Sequence, residues 1–202
     1  MATKLENCLK RNKACIEAQN WIHDKGITTI AQVWEQSPEP AWMLWGLEYA
    51  GHEEGSSRQV RKWVHHCLLL VYNYLGDPRC QRALKVLEAY AAGGSTGAEM
   101  EDALASAGAA ASARASADAD ARRASPHFHA TRAVVAGLAF PDNQWAKWAN
   151  EATAYAAMAA AQNGGGVDRE ALVDHRRKQA DALRSVFSGD ITGLIANLED
   201  LH

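Results

Sequence analysis

The chain has no apolar run long enough to cross a bilayer. Its longest run of apolar residues larger than alanine, Cys67 to Tyr72, is six residues, against the roughly 20 that a membrane helix needs. Cysteine is scarce as well. Cys8, Cys15, Cys67 and Cys80 include no Cys-x-x-Cys pair, which excludes a zinc ribbon and a thioredoxin-like motif. The opening residues Met-Ala-Thr-Lys-Leu-Glu-Asn-Cys carry no apolar core of a secretory signal. Together these absences predict a cytoplasmic protein with buried, reduced thiols. No charge dominates either: a formal net charge of −3 over 202 residues gives no global attraction to nucleic acid or anionic lipid. There is no His-Glu-x-x-His spacing, and neither Gly93-Gly94 nor Gly164-Gly165-Gly166 has the strand and lysine of a phosphate-binding loop. Those glycines are expected to be connectors. Period-two alternation is also missing, so strands are not expected.

What is present has helical period. Leu5, Cys8, Leu9, Cys15, Ile16, Trp21 and Ile22 share one spacing that ends at Gly26, predicting a first helix with Cys8 and Cys15 on one face. A short helix follows near Thr28 to Trp34. Ser37-Pro38-Glu39-Pro40 breaks the chain, and Pro40 can begin a helix carrying Trp42, Met43, Trp45, Leu47 and Tyr49 as far as Gly51. After a turn at Gly55-Ser56-Ser57 the apolar positions Val60, Trp63, Val64, Cys67, Leu68, Val71 and Tyr72 predict a helix to about Leu75. Asp77-Pro78 should cap and open the next, which ends at Gly93. Thr96 and Glu99 have capping-box spacing. Ser125-Pro126 repeats the cap-plus-proline pattern ahead of a helix over Phe128 to Phe140, stopped by Pro141-Asp142. Asp168 should cap a helix bearing Leu172, Val173, Leu183, Val186 and Phe187 up to Gly189, and a last short helix is expected over Leu194 to Leu198.

From Ala103 to Ala121 the chain is mostly alanine, with Leu104 the only large apolar side chain. Alanine has the best helix propensity and orders without side-chain entropy loss. The segment is therefore expected to be a smooth rod that neighbours approach closely, rather than a linker, and Trp145 to Ala161 a second one. The predicted fold is an all-α, single-domain bundle of helix hairpins over residues 1–202. It divides into an aromatic-rich part (1–92), an alanine-rich part (95–162) and C-terminal helices (167–202). The two alanine-rich helices should pack closely.

Candidate chemistry is thin. His127-Phe128-His129 would hold a metal only if extended, whereas Ser125-Pro126 starts a helix. His52-Glu53-Glu54 puts an imidazole beside two carboxylates; with His65 and His66 it is the set an enzyme would use. His65 is expected on the wetter flank and His66 nearer Trp63. Arg58, Arg61 and Lys62 on one polar helix face, and Arg176, Arg177 and Lys178 on another, are the sets a nucleic-acid binder would use. Neither alternative is joined by a second motif that converges on it. No cofactor or metal is implied.

Several segments come in a telling order: Ala41-Trp42-Met43-Leu44-Trp45, then Asp77-Pro78-Arg79 leading to Ala83-Leu84-Lys85-Val86-Leu87-Glu88-Ala89-Tyr90-Ala91-Ala92-Gly93, then the alanine-rich helices, then Arg177-Lys178-Gln179-Ala180-Asp181-Ala182-Leu183-Arg184. This order resembles the alanine-rich helical immunity-protein family of bacteria and phages, over roughly residues 40–187. The resemblance implies a non-enzymatic inhibitor that binds a toxin or a defence component. A phage anti-defence protein, anti-CRISPR-like, is a variant with the same physics. It supplies no catalytic residues, and residues 1–39 have no counterpart in it. Exposed aromatics in the first half leave a homodimer open.

By exclusion, the partner-binding surface is expected on the polar side of the alanine-rich helix and the turn after it: Arg114, Asp118, Arg122, Arg123 and His127. Spaced charges on a smooth helix can be read in a fixed register by another protein, and reversing rim charges mainly slows association. Arg122→Glu with Arg123→Glu should therefore lower the association rate with the partner. Unchanged binding by a folded double variant would move the interface to the basic faces at Arg61 or Arg176.

Overall fold

A computed structural model describes residues 5, 9, 14–49, 55–117, 125–139, 145–163 and 166–188. Leu5 and Leu9 are helical. The elements that follow are α1 (Ile16–Asp24), α2 (Ile30–Gln36), α3 (Pro40–Tyr49), α4 (Gly55–Leu69), a 3-10 turn (Tyr72–Tyr74), α5 (Pro78–Ala92), α6 (Gly97–Ala117), α7 (Pro126–Leu138), α8 (Trp145–Ala161), β1 (Gln162–Asn163), β2 (Gly166–Val167) and α9 (Arg169–Val186). The fold is an all-α bundle. Its one extended feature among the described residues is a two-residue antiparallel ladder, Gln162 opposite Val167 and Asn163 opposite Gly166. The expected helix over 194–198, the residues at 51–54 and 140–144, and Gly189 lie outside the described residues.

Local chemistry places most helix ends. At the end of α1, Gly26 takes φ +63°. Its N–H donates to the His23 carbonyl, and the Ile27 N–H to that of Ile22, both at 3.0 Å; only a left-handed residue lets both bonds form. Gly93, at φ +82°, ends α5 in the same way. Asp77 accepts from the Arg79 N–H at 2.9 Å with Pro78 at the first helical position. Asp168 accepts from the N–H groups of Glu170 and Ala171 at the start of α9. The capping box at α6 is complete: the Glu99 N–H donates to Thr96 Oγ1 at 3.3 Å and the Thr96 N–H to Glu99 Oε2 at 2.7 Å.

Four expectations are corrected. The first helix is not continuous: Cys15 is extended (φ −64°, ψ 152°) ahead of α1. That break lets Leu5, Leu9, Ala14, Ile22 and Ile27 share one small apolar cluster while Ile16 turns outward, 62 % exposed. The fourth helix already includes Gly55-Ser56-Ser57, where a turn was expected, and stops at Leu69, with Tyr72 exposed rather than buried. Ser125 precedes Pro126 without making a side-chain cap bond. Val173 faces solvent, since α9 buries His175, Gln179, Ala180, Ala182 and Leu183 instead.

The main core runs from α3 to α9 and centres on Trp63, Leu44, Leu47, Leu68, Leu87 and Phe187. Around these, the helices touch through small residues: Ala103, Ala107 and Ala110 on α6, Ala130 and Ala133 on α7, Ala149, Ala152 and Ala156 on α8. The α7–α8 pair makes the most extensive contact. Close approach is explicit at Gly137 of α7, where a Cβ would lie 3.0 Å from Leu68 Cδ1 and 3.1 Å from Val64 Cγ1. The described part of the alanine tract is thus packed helix, but α6 lies against α5 and α7 rather than against α8, so the two alanine-rich helices do not form a close pair as expected; each meets α7 instead.

Helix α9 is tied in by polar bonds as well. Trp63 Nε1–H donates to the Gln179 carbonyl at 2.8 Å, and Gln179 Nε2 donates to the Thr153 carbonyl at 3.0 Å, linking α4, α9 and α8. Arg184 donates to the carbonyls of Trp34 (2.9 Å) and Ser37 and pairs with Asp181. Arg176 pairs with Glu39 at 2.7 Å. In this packing Ala157 is fully buried. Ala157→Leu should cost about 1–3 kcal/mol, the usual range for overpacking, and a urea melt with unchanged midpoint would refute the packing.

Candidate protein-binding surface

Where α4 stops at Leu69, the chain reverses through a tight turn into the 3-10 segment. Val71 and Leu75 point inward, at 0 % and 2 % exposure, and anchor this turn to the core. Leu69, Leu70 and Tyr72 are left outside, at 47 %, 40 % and 39 %. Three large apolar side chains are thus exposed within four residues of one short turn, which makes it the candidate for a protein contact. Pattern reading carried the helix on to about Leu75 with Tyr72 on its buried side, because an apolar run carries no sign of where its helix ends.

His127, in the first turn of α7, meets the same turn. Its Nδ1 lies 2.7 Å from the Tyr74 carbonyl, a contact that requires the proton on Nδ1, and the two rings sit edge to face at 5.9 Å. His127 is half-buried and fixes the turn as much as it presents itself. Arg114 is exposed in the last turn of α6. The two residues thus flank one connection, α6 to α7. Asp118, Arg122 and Arg123, which belong to that connection, lie outside the described residues.

The other candidates rearrange. Arg61 does not share a polar face with Arg58 and Lys62: it is 4 % exposed, its guanidinium 4.9 Å from the Tyr90 ring centroid. A cation over an aromatic face tolerates burial that water would otherwise oppose. Of the second basic set, Arg176 is bound to Glu39 and Lys178 to Asp174 at 2.7 Å, while Arg177 is exposed. The histidines of α4 are reversed from expectation. His66 is exposed and His65 half-buried, its pKa lowered by burial against the opposing pull of Glu88. His52, Glu53 and Glu54 lie outside the described residues. His129 stacks on Tyr155 at 6.0 Å, and no group of three or more metal-ligating side chains is found among the described residues. No described helix is long and apolar enough to cross a membrane.

Cys67 and Cys80 are buried, and burial pushes the Cys67 thiol pKa well up. Cys15 is exposed, contrary to the buried-thiol expectation, because the break at Ala14–Cys15 puts it at the mouth of a groove; Cys8 lies outside the described residues. The groove has two adjoining hollows of about 420 Å³ and 320 Å³ that share Cys15, Ala41, Trp42 and Asn150. Trp42 itself rests on Trp21, ring centroids 5.5 Å apart.

The chain gives no match to known protein families, to curated proteins or to solved structures. The family resemblance therefore stands on the residues quoted for it.

Two titrating groups report on the α9 and α5 ends of the bundle. Burial draws the His175 pKa down from 6.5 to about 4, with Lys178 lowering it further and Asp174 opposing; its Nε2 has no hydrogen-bond partner among the described residues. Between those values the unfolded chain binds a proton that the folded chain refuses, so stability falls as pH drops from about 6.5 to 4. Asp77 is held down to about 2 by its hydrogen bonds with Arg79. Its contribution is present above 3.8 and is lost as pH falls toward 2. Urea melts from pH 7 to pH 2.5 should show both windows. His175→Leu should flatten the first and Asp77→Asn, which still caps a helix, the second. A wild-type profile flat across the first window would overturn the burial assigned to His175.

Proposed function

We propose that this protein is a protein-binding inhibitor that neutralises a toxin or a defence-system component by covering its working surface, as an immunity protein or a phage anti-defence protein of the anti-CRISPR kind does. The observation that carries this reading is the exposed Leu69-Leu70-Tyr72 turn, held by Val71 beneath and by His127 beside it. A rigid turn loses little conformational freedom on binding, so most of its apolar burial goes into affinity. Of the candidate charges, His127 meets this turn directly; the charges that the sequence carries between α6 and α7, at Arg114, Asp118, Arg122 and Arg123, are of the kind a polar rim around apolar anchors uses. The ordered resemblance of residues 40–187 to the immunity-protein family supports the same reading.

The test is affinity for a protein that co-purifies from the native host or its phage, compared across variants. Leu70→Asp with Tyr72→Ala should weaken binding about thirtyfold, equivalent to losing one anchor of about 2 kcal/mol, while thermal stability is kept because both side chains already face water. Arg122→Glu with Arg123→Glu should slow association. If the turn variant binds as the wild type does, the interface is elsewhere; if the variant instead shifts a dimer to monomer without changing partner affinity, the patch joins two copies of this chain and the proposal fails.

A further inference from the structure

The Leu69–Tyr72 turn ends a surface that α4 and α5 build together. Arg58 Nη1 lies 3.7 Å from the place a Cβ on Gly93 would take, the Arg61 guanidinium lies 4.9 Å from the Tyr90 ring centroid, and His65 is close enough to Glu88 to feel its charge. These pairs run in opposite order along the two helices, so α4 and α5 are antiparallel neighbours and the turn lies level with the first two turns of α5. Gln81 fastens that level, its Nε2 donating to the Leu75 carbonyl at 2.7 Å. On α4, Lys62, His66 and Leu69 follow at helical spacing and are all exposed; on α5, Arg82, Lys85 and Glu88 do the same. Charge of one sign is in excess here. Lys62, Arg82 and Lys85 make no ion pair among the described residues. Of the nearby acids, Asp77 is already bound to Arg79 at 2.8 Å, which leaves Glu88 as the one carboxylate on these two stripes. On a chain of formal net charge −3 this excess of cations is local, and it adjoins the exposed Leu69, Leu70 and Tyr72.

We propose that the partner protein offers this surface an acidic segment, its large apolar side chains seated on Leu69, Leu70 and Tyr72 and its carboxylates directed at Lys62, Arg82 and Lys85. The proposal rests on the reading of the turn as a protein contact and adds the sign of charge that the partner must carry. Cations beside an apolar anchor steer an acidic partner into register and repel a basic one. A phosphate backbone would answer the lysines and gain nothing from two leucines. An anionic bilayer would meet Glu88 with like charge, whereas a protein can set a neutral or basic side chain opposite it.

Three labelled helical peptides test this on the full chain, by fluorescence anisotropy and stopped flow: leucines flanked by glutamate, the same leucines flanked by lysine, and the glutamate peptide with its leucines changed to alanine. The wild type should bind the first about tenfold more tightly than either of the others, and its preference over the lysine peptide should shrink in high salt. Lys62→Glu with Lys85→Glu should slow association with the glutamate peptide about tenfold, and Lys62→Gln with Lys85→Gln about threefold. Both lysines are exposed, so the melting temperature should not move. If Leu70→Asp with Tyr72→Ala weakens binding while neither lysine pair does, this proposal fails and the turn remains the contact; if none of the three variants has an effect, both readings fail. Absence of peptide binding, or equal binding of the two leucine peptides, overturns the acidic partner alone. Tighter binding of single-stranded DNA or of phosphatidylserine vesicles than of the glutamate peptide, lost in the same lysine variants, would assign the surface to phosphates or to a bilayer and overturn it as well.

Discussion

The buried link from Trp63 through Gln179 to Thr153 is the constraint around which the bundle is arranged. Gln179 is 1 % exposed and sits where α4, α8 and α9 converge. A carbonyl or amide left unpaired at that depth costs about 1–3 kcal/mol, so the three helices can meet in one register only. The indole and the amide satisfy each other's surroundings, and the neighbouring apolar residues pack to suit. Arg184 and Arg176 extend the same tie outward, fastening α9 to the turn over Trp34 to Glu39 that leads into α3. Through α9, residues more than a hundred positions apart in the chain become one core.

Alanine is what lets that register be reached. A helix faced with Ala149, Ala152 and Ala156 has little side chain between its backbone and the next, and dispersion contacts then form between near-backbone atoms. Gly137 takes this furthest, with Leu68 and Val64 occupying the space a Cβ would need. Large side chains are accordingly concentrated on α3, α4 and α5. Two of them on α4 bring polar groups inside: Trp63, whose N–H is answered by the Gln179 carbonyl, and Arg61, whose guanidinium lies over Tyr90.

The surfaces with the chemistry of recognition arise where helices end early. The stop at Leu69 turns Leu69, Leu70 and Tyr72 out to solvent, and the break at Cys15 opens the groove beside Trp42. The exposure of Arg114 was legible beforehand because its charge marks it. The turn and the groove were not, since the apolar pattern does not mark where α4 stops and the helices that frame the groove are brought together only by the fold. Arg61 shows the converse. Its charge marks a surface, yet Tyr90 on α5 offers a face that takes it inside.

Sequence alone determined the all-α class, the caps at Asp77, Thr96 and Asp168, and the ends at Gly26 and Gly93. These are decided within four or five residues, by a carboxylate or hydroxyl in reach of free amides or by a residue free to take positive φ. Only the tertiary structure decided that Cys15 and Val173 are exposed, that His65 rather than His66 turns toward the core, and that α4 stops at Leu69. Those outcomes depend on which helix lies opposite. A helical repeat fixes the spacing of a face, while the partner that covers it is chosen by packing across the whole chain.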